Sequence, residues 1–217
     1  MTDAAIQASA GYPNETLAEH PMSGLGTPRS NKVHGERILG FWFYLMSDAV
    51  TFAILFANYI VLLPGVADGP GPQEVFELGR AAQETALLLL SSLSFGLLSF
   101  NALSGRKGRA LLWLAVTFAL GAGFLVLEFQ EFSELIAKGA GPDRSGFLSG
   151  FFGLVGTHGL HVSVGLVMLA VMAVQISIKG MTEPVLSRLY RVGLFWHFLD
   201  IVWVAIFSVI YLPGALK

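Results

Sequence analysis

The sequence predicts an all-α, polytopic membrane protein with five transmembrane helices. Two observations carry that prediction. Of the 217 residues, 54% are hydrophobic and 13% charged, against about 25% charged in an average soluble domain, so the chain is short of residues to cover a wet surface. The apolar residues also fall in long runs, near 38–63, 82–103, 110–133, 147–176 and 189–212. About 20 such residues cross a bilayer core of about 30 Å. A soluble protein with unusually apolar helices is the minor alternative. The absence of cysteine excludes disulfides, thiolate metal sites and haem attachment through CxxCH. A net charge of −2 and a pI near 6.2 point to no nucleic-acid partner.

Residues 1–30, MTDAAIQASAGYPNETLAEHPMSGLGTPRS, are small, polar and mildly acidic, with three prolines. They lack the basic start and apolar stretch of a secretory signal. They read as a mobile cytoplasmic tail ahead of a membrane domain over 31–217. The first span follows KVHGER and runs through ILGFWFYLMSDAVTFAILFANYIVLL. The connector PGVADGPGPQEVFELGR is rich in Gly and Pro and reads as a loop. Span two, AAQETALLLLSSLSFGLLSFNAL, ends in the basic turn SGRKGR. Span three is ALLWLAVTFALGAGFLVLEFQEF, followed by the loop SELIAKGAGPDRSG. Span four is FLSGFFGLVGTHGLHVSVGLVMLAVMAVQI, and span five is RLYRVGLFWHFLDIVWVAIFSVIYLPG. Thr182 with Pro184 marks a helix start before span five.

Lysine and arginine set the orientation. Arg29, Lys32, Arg37, Arg106, Lys107, Arg109, Lys179, Arg188 and Arg191 fall on one side, and Arg80, Lys138, Arg144 and Lys217 on the other. The N-terminus is therefore expected in the cytoplasm and the C-terminus outside. Trp42 and Tyr211 sit near span ends, where interfacial aromatics are expected. No internal repeat supports an inverted-repeat transporter.

An ionisable side chain at the bilayer centre costs roughly 2.5–3.5 kcal/mol on insertion scales, so each one is a functional candidate. Counted along the helices, Asp48, His158, His161, His197 and Asp200 form a middle layer, and Glu84, Glu128 and Glu131 an outer one. Tyr44, Ser47, Asp48, Thr51 and Asn58 lie close to one stripe of span one, and such a stripe is expected to face protein. The spacing alone leaves three readings open. His158 and His161 with His197 and Asp200 are paired i,i+3 on two helices, which a bundle-core metal or a b-type haem could use. The Glu-x-x-His pattern of di-iron sites is absent. The carboxylates could instead handle protons or touch lipid. Or histidines and acids could simply bond to each other as interhelical glue. Ser145, Ser149, Gly153 and Thr157 repeat every four residues on span four, with Gly146 and Gly150 beside them and Gly165 four beyond His161. They point to a closely packed neighbour, in this chain or in another.

GPDRSGFLSGFFGLVGTHGLHVSVG, LFWHFLDIVWVAIFSVIYL, FWFYLMSDAVTFAILFANYIVL and LGAGFLVLEFQEF together resemble subunit III of the haem–copper respiratory oxidases. The resemblance covers about residues 36–214, with all five spans in order, and its long histidine motifs are specific. Val155-Gly156-Thr157-His158 departs slightly from the mitochondrial version. Ser47-Asp48 and GPDRSGF are similar to the cytochrome o, quinol-oxidising branch; cytochrome c branches usually carry Glu at the position of Asp48. Subunit III of a bacterial cytochrome c oxidase is therefore the alternative.

The resemblance implies an accessory subunit of a proton-pumping terminal oxidase in a bacterial inner membrane. That complex would oxidise quinol and reduce oxygen to water. This chain would support assembly, stability and proton uptake, with no redox centre and no catalytic residue of its own. Haem b, haem o and copper would sit in subunit I, its main partner, with subunits II and IV and phospholipids as further partners. The family arrangement implied is a two-plus-three bundle with a V-shaped, lipid-filled cleft. Asp48 matches the family's membrane carboxylate and Glu131 the Glu of its LQxxEY helix. Asp48, Glu84, Glu128, Glu131 and Asp200 become candidate membrane carboxylates or lipid-cleft contacts. His161 could join them at the cleft, and His158, His161 and His197 become buried packing residues.

Overall fold

A computed structural model of the chain describes residues 28–67, 70, 71 and 77–213. Its regular secondary structure among those residues is helical throughout. α1 covers Pro28–Leu62, α2 Leu78–Leu103, α3 Lys107–Ala137, α4 Gly146–Lys179 and α5 Glu183–Ile206, which continues as a π-helical turn over Phe207–Tyr211. Five helices are long and apolar enough to cross a membrane: Ile38–Leu62, Leu78–Leu103, Lys107–Ala137, Gly146–Lys179 and Glu183–Tyr211. The expected tail falls outside the described residues up to 27. Its last three residues do not extend it; they open α1, with Pro28 at the first helical position, where its missing N–H costs nothing. Contacts divide the chain after Leu39, and the second unit, Gly40–Lys217, holds the bundle.

Local chemistry sets the helix ends. α2 and α3 both stop at a left-handed glycine, Gly105 and Gly139. Behind them, Arg106 N–H bonds Asn101 O and Ala140 N–H bonds Leu135 O, which closes orphan carbonyls at each terminus. Ser145 caps α4, its hydroxyl accepting from Leu148 N–H at 3.2 Å. Thr182 and Pro184 open α5 as the sequence predicts.

The helices do not divide as two plus three. α2 packs on α3, α3 on α4, α4 on α5, and α5 returns to α2, so four helices close a ring. The part of α1 in the second unit, from Gly40 on, lies outside the ring over the α4/α5 seam. There Phe52 meets His158, His161 and Phe198, and Tyr59 meets Phe147. A Cβ on Gly150 would lie 3.3 Å from the Tyr59 Cα, so α1 and α4 approach nearly backbone to backbone. The ring closes because α5 reaches α2 with two indoles. Trp196 Nε1–H donates to Ser91 Oγ at 3.0 Å, and Trp203 Nε1–H to Thr85 Oγ1 at 3.1 Å.

Each interhelical hydrogen bond of this kind is worth only about 0.6 kcal/mol on average in a membrane protein. Shape therefore does most of the holding. Trp196 fills the centre, pressed between Gly121 of α3 and Gly165 of α4, where added Cβ atoms would fall 2.7 Å and 2.9 Å from its ring. Gly193 receives the Phe95 ring in the same way.

Candidate functional site

The bundle separates the polar residues that the sequence groups by depth. On α1 the inward edge is Leu45, Phe52 and Tyr59, all buried. Asp48 lies on the same side, partly covered. Its Oδ2 comes to 3.8 Å from His161 Nε2 of α4, which is electrostatic proximity rather than a hydrogen bond. His161 Nδ1 is 2.8 Å from the Thr157 carbonyl. A carbonyl only accepts, so Nδ1 carries the proton and Nε2 is turned to Asp48. The rest of the expected polar stripe is exposed at Ser47, Thr51 and Asn58, while Tyr44, also largely exposed, stacks its ring on Phe195 of α5 at 6.4 Å. Large apolar side chains decide which edge of α1 is buried, and Thr51 satisfies its hydroxyl on its own helix at Ser47 O.

His158, three residues before His161, is in a different place. It is 0% exposed, in the ring's interior, with Phe52, Phe124 and Trp203 around it. Its Nε2 is 3.3 Å from the Leu199 carbonyl of α5 and so is the protonated nitrogen. His197 faces a third direction. The sequence reading expects it buried, yet its side chain is 47% exposed. It sits on the outer side of the α5/α2 seam, where Nδ1 meets Ser92 Oγ at 2.7 Å and Asp200 Oδ2 at 3.7 Å. Neither Asp200 oxygen has a hydrogen-bond partner among the described residues.

Three directions for three imidazoles leave no shared centre. Among the described residues, no group of three or more histidine or acidic side chains is disposed to hold a metal ion.

The outer carboxylates do gather. Glu128 of α3 has Glu84 of α2 and Glu131 of α3 as its charged neighbours, and all three are buried. Tyr211 OH donates to Glu131 Oε2 at 3.0 Å. Tyr211 is therefore not the interfacial aromatic its position suggests: it is 1% exposed and reaches inward from the end of α5. Both Glu84 oxygens and Glu128 Oε2 lack a hydrogen-bond partner among the described residues. Nearer the helix ends, Arg80 Nη2 donates to both oxygens of Glu134 at 3.0 Å. Glu128 also borders a groove of about 210 Å³ between α3 and α4, lined by Leu125, Phe129, Phe132, Gly156, Gly159 and Leu160. Gly159 makes room for the carboxylate: a Cβ there would fall 2.5 Å from Glu128 Oε1.

Sequence reasoning misses Thr85, Ser91, Ser92 and Ser94, which anchor α5 and α3 to α2. Ser94 Oγ meets Thr117 Oγ1 at 2.7 Å. A signal is present in hindsight: SSLS is a cluster of hydroxyls inside an otherwise apolar span. The small residues of α4 also sort themselves. Gly146, Gly150, Gly159 and Gly165 meet neighbours within this chain, while Ser149 and Gly153 are exposed.

The model of the family described as cytochrome c oxidase subunit III matches residues 12–215. The chain belongs to that family. The cytochrome bo(3) ubiquinol oxidase subunit 3 of Pseudomonas putida is 53% identical over 179 residues, covering 82% of this chain and 86% of the relative. The protein of the same name from Pseudomonas aeruginosa is 49% identical over 203 residues, covering 94% of this chain and 97% of the relative. Cytochrome c oxidase subunit 3 of Bacillus sp. is 39% identical over 179 residues, covering 82% of this chain and 86% of the relative. This family member is a multi-pass membrane protein, and it is a subunit with other subunits as partners.

Proposed function

We propose that this chain is the accessory third subunit of a terminal quinol oxidase. The observation that carries this reading is its similarity, over nearly the whole chain, to subunits named for ubiquinol oxidases. The enzyme is the complex, and catalysis lies outside this chain. Haem b, haem o and copper belong to subunit I, the main partner, with subunits II and IV completing the assembly. The complex lies in the bacterial inner membrane, oxidises quinol, reduces oxygen to water and moves protons outward. The arginine and lysine bias supports a cytoplasmic N-terminus and a periplasmic C-terminus.

The role within the complex is support of assembly, stability and proton uptake by subunit I. We read Asp48 as a lipid contact because it is at the partly open edge of the α1/α4 contact, and Glu128, itself buried, because it borders an apolar groove. Glu84, Glu131 and Asp200 are membrane carboxylates enclosed by protein, and His158 and His161 pack helices together.

A tag on this chain tests the reading. Purification in mild detergent should recover a haem-bearing, copper-binding subunit at a near one-to-one ratio. Recovery of the chain alone would sink it. The similarity to a cytochrome c oxidase subunit supports a second reading, with a different electron donor. Oxygen uptake by the purified complex decides between them: activity with quinol and none with reduced cytochrome c is expected.

A further inference from the structure

His197 is a hydrogen-bonding group in a place where lipid cannot serve it. It lies midway along the 29-residue span Glu183–Tyr211, and Ser92 lies midway along the 26-residue span Leu78–Leu103. Both are therefore near the bilayer centre. Nδ1 is engaged by Ser92. Nε2 has no hydrogen-bond partner among the described residues, on a side chain 47% exposed at the outside of the ring. Acyl chains offer neither donor nor acceptor, and polar groups at this depth face protein or a water-filled cavity.

The surrounding surface has the form of a helix seat. Ser92 and Gly96, four residues apart on α2, are small and lie on the face beside His197. A Cβ on Gly96 would meet nothing within 4 Å. Small residues at this spacing let another backbone come close. Leu93, next to Ser92 on α2, and Ile201, four residues beyond His197 on α5, are 62% and 69% exposed. The occupant therefore needs an apolar surface with one polar group at mid-depth. A transmembrane helix presenting a side-chain or carbonyl partner fits that description, whereas a phospholipid has its polar atoms at the wrong level.

We infer that the α2/α5 seam centred on His197 is the docking surface for a transmembrane helix of another subunit of the oxidase, which supplies the partner for His197 Nε2. Asp200 and Ser92 are positioning residues that hold the imidazole outward. The inference rests on the reading of this chain as an oxidase subunit.

The test uses the purified complex with a photoreactive benzophenone amino acid at Ile201 or Leu93. Leu160, on the α3/α4 seam across the ring, serves as the comparison. Ile201 and Leu93 should yield covalent adducts with another oxidase subunit, and more than Leu160 does. In the same complex His197→Leu should lower the share of this chain retained with the haem-bearing subunit by about threefold to tenfold, the range a single interhelical hydrogen bond supplies. His197→Gln, which keeps a polar tip, should restore most of it. Adducts from Ile201 and Leu93 with lipid alone, or with a second copy of this chain, would overturn the inference. An intact haem-bearing complex in that experiment would leave the subunit reading standing, so the two fail separately.

Discussion

Trp196 of α5 donates its indole N–H to Ser91 of α2 at 3.0 Å, and both side chains are buried at the centre of the four-helix ring. The bond sits where all four helices of the ring meet, because the same indole rests on Gly121 of α3 and Gly165 of α4. Packing at this one residue therefore reports on the whole ring.

Gly121→Ala should destabilise the bundle. The new methyl would fall 2.7 Å from Trp196 Cη2, and the indole cannot yield while Gly165 closes its other side. Overpacking of this kind costs about 1–3 kcal/mol. A lower midpoint of thermal aggregation in detergent, relative to the parent chain, checks it. Gly153→Ala is the control: nothing lies within 4 Å of its added Cβ, and no change is expected.

Tyr211→Phe removes the donor to Glu131 Oε2. A buried acceptor left unsatisfied costs about 1–3 kcal/mol. The expected outcome is a lower thermal midpoint, recovered in the double variant Tyr211→Phe, Glu131→Leu if the orphaned carboxylate is the cause. An unchanged midpoint in the single variant would show that another donor reaches Glu131.

Glu134→Gln breaks the bond pair with Arg80 and should cost little. Glu134 is about half exposed at 48%, and water and salt screen such a pair. The difference between variant and parent midpoints should shrink further as salt is raised. A large loss that persists in high salt would mean the pair is shielded by another subunit.

His158→Phe should leave the haem spectrum of the purified complex unaltered. The imidazole is enclosed by Phe52, Phe124 and Trp203 and bonded to a backbone carbonyl, so a ring of similar shape replaces it at the loss of one weak bond. Loss of a haem band from an assembled complex would contradict its packing role.

Asp48→Asn should assemble with near-normal haem content and alter at most the turnover or its durability. The carboxylate faces His161 at 3.8 Å and, among the described residues, belongs to no cluster with a third ligand. Complete loss of oxygen reduction in a fully assembled complex would overturn the accessory role.

The spans were legible because they obey a one-dimensional rule: a helix that crosses hydrocarbon must be apolar along about 20 residues, whatever it packs against. The helix start at Thr182–Pro184 was legible for a similar reason, since caps act through neighbours in sequence, whereas Ser145, which the spacing marks as a packing residue, caps α4 instead. The polar residues were legible as anomalies, and their depth could be counted. Their partners could not. His158 and His161 are three residues apart, which suggests one face, yet one enters the ring and the other turns to α1. The α4 helix has neighbours on both of those sides, and sequence spacing does not say which neighbour lies where.

By itself the sequence determined a five-helix membrane chain, the levels at which its ionisable groups sit, and its likeness to oxidase subunit III. Composition, periodicity and long motifs are properties of the chain alone. The packing of the helices settles that α2 to α5 close into a ring, that Tyr211 reaches inward to Glu131 while His197 stays outside, and that Asp48 of its stripe turns toward His161. Those outcomes depend on which bulky side chains meet which glycines across helices. In a bilayer, where apolar surface is no more costly against lipid than against protein, that fit chooses the neighbours.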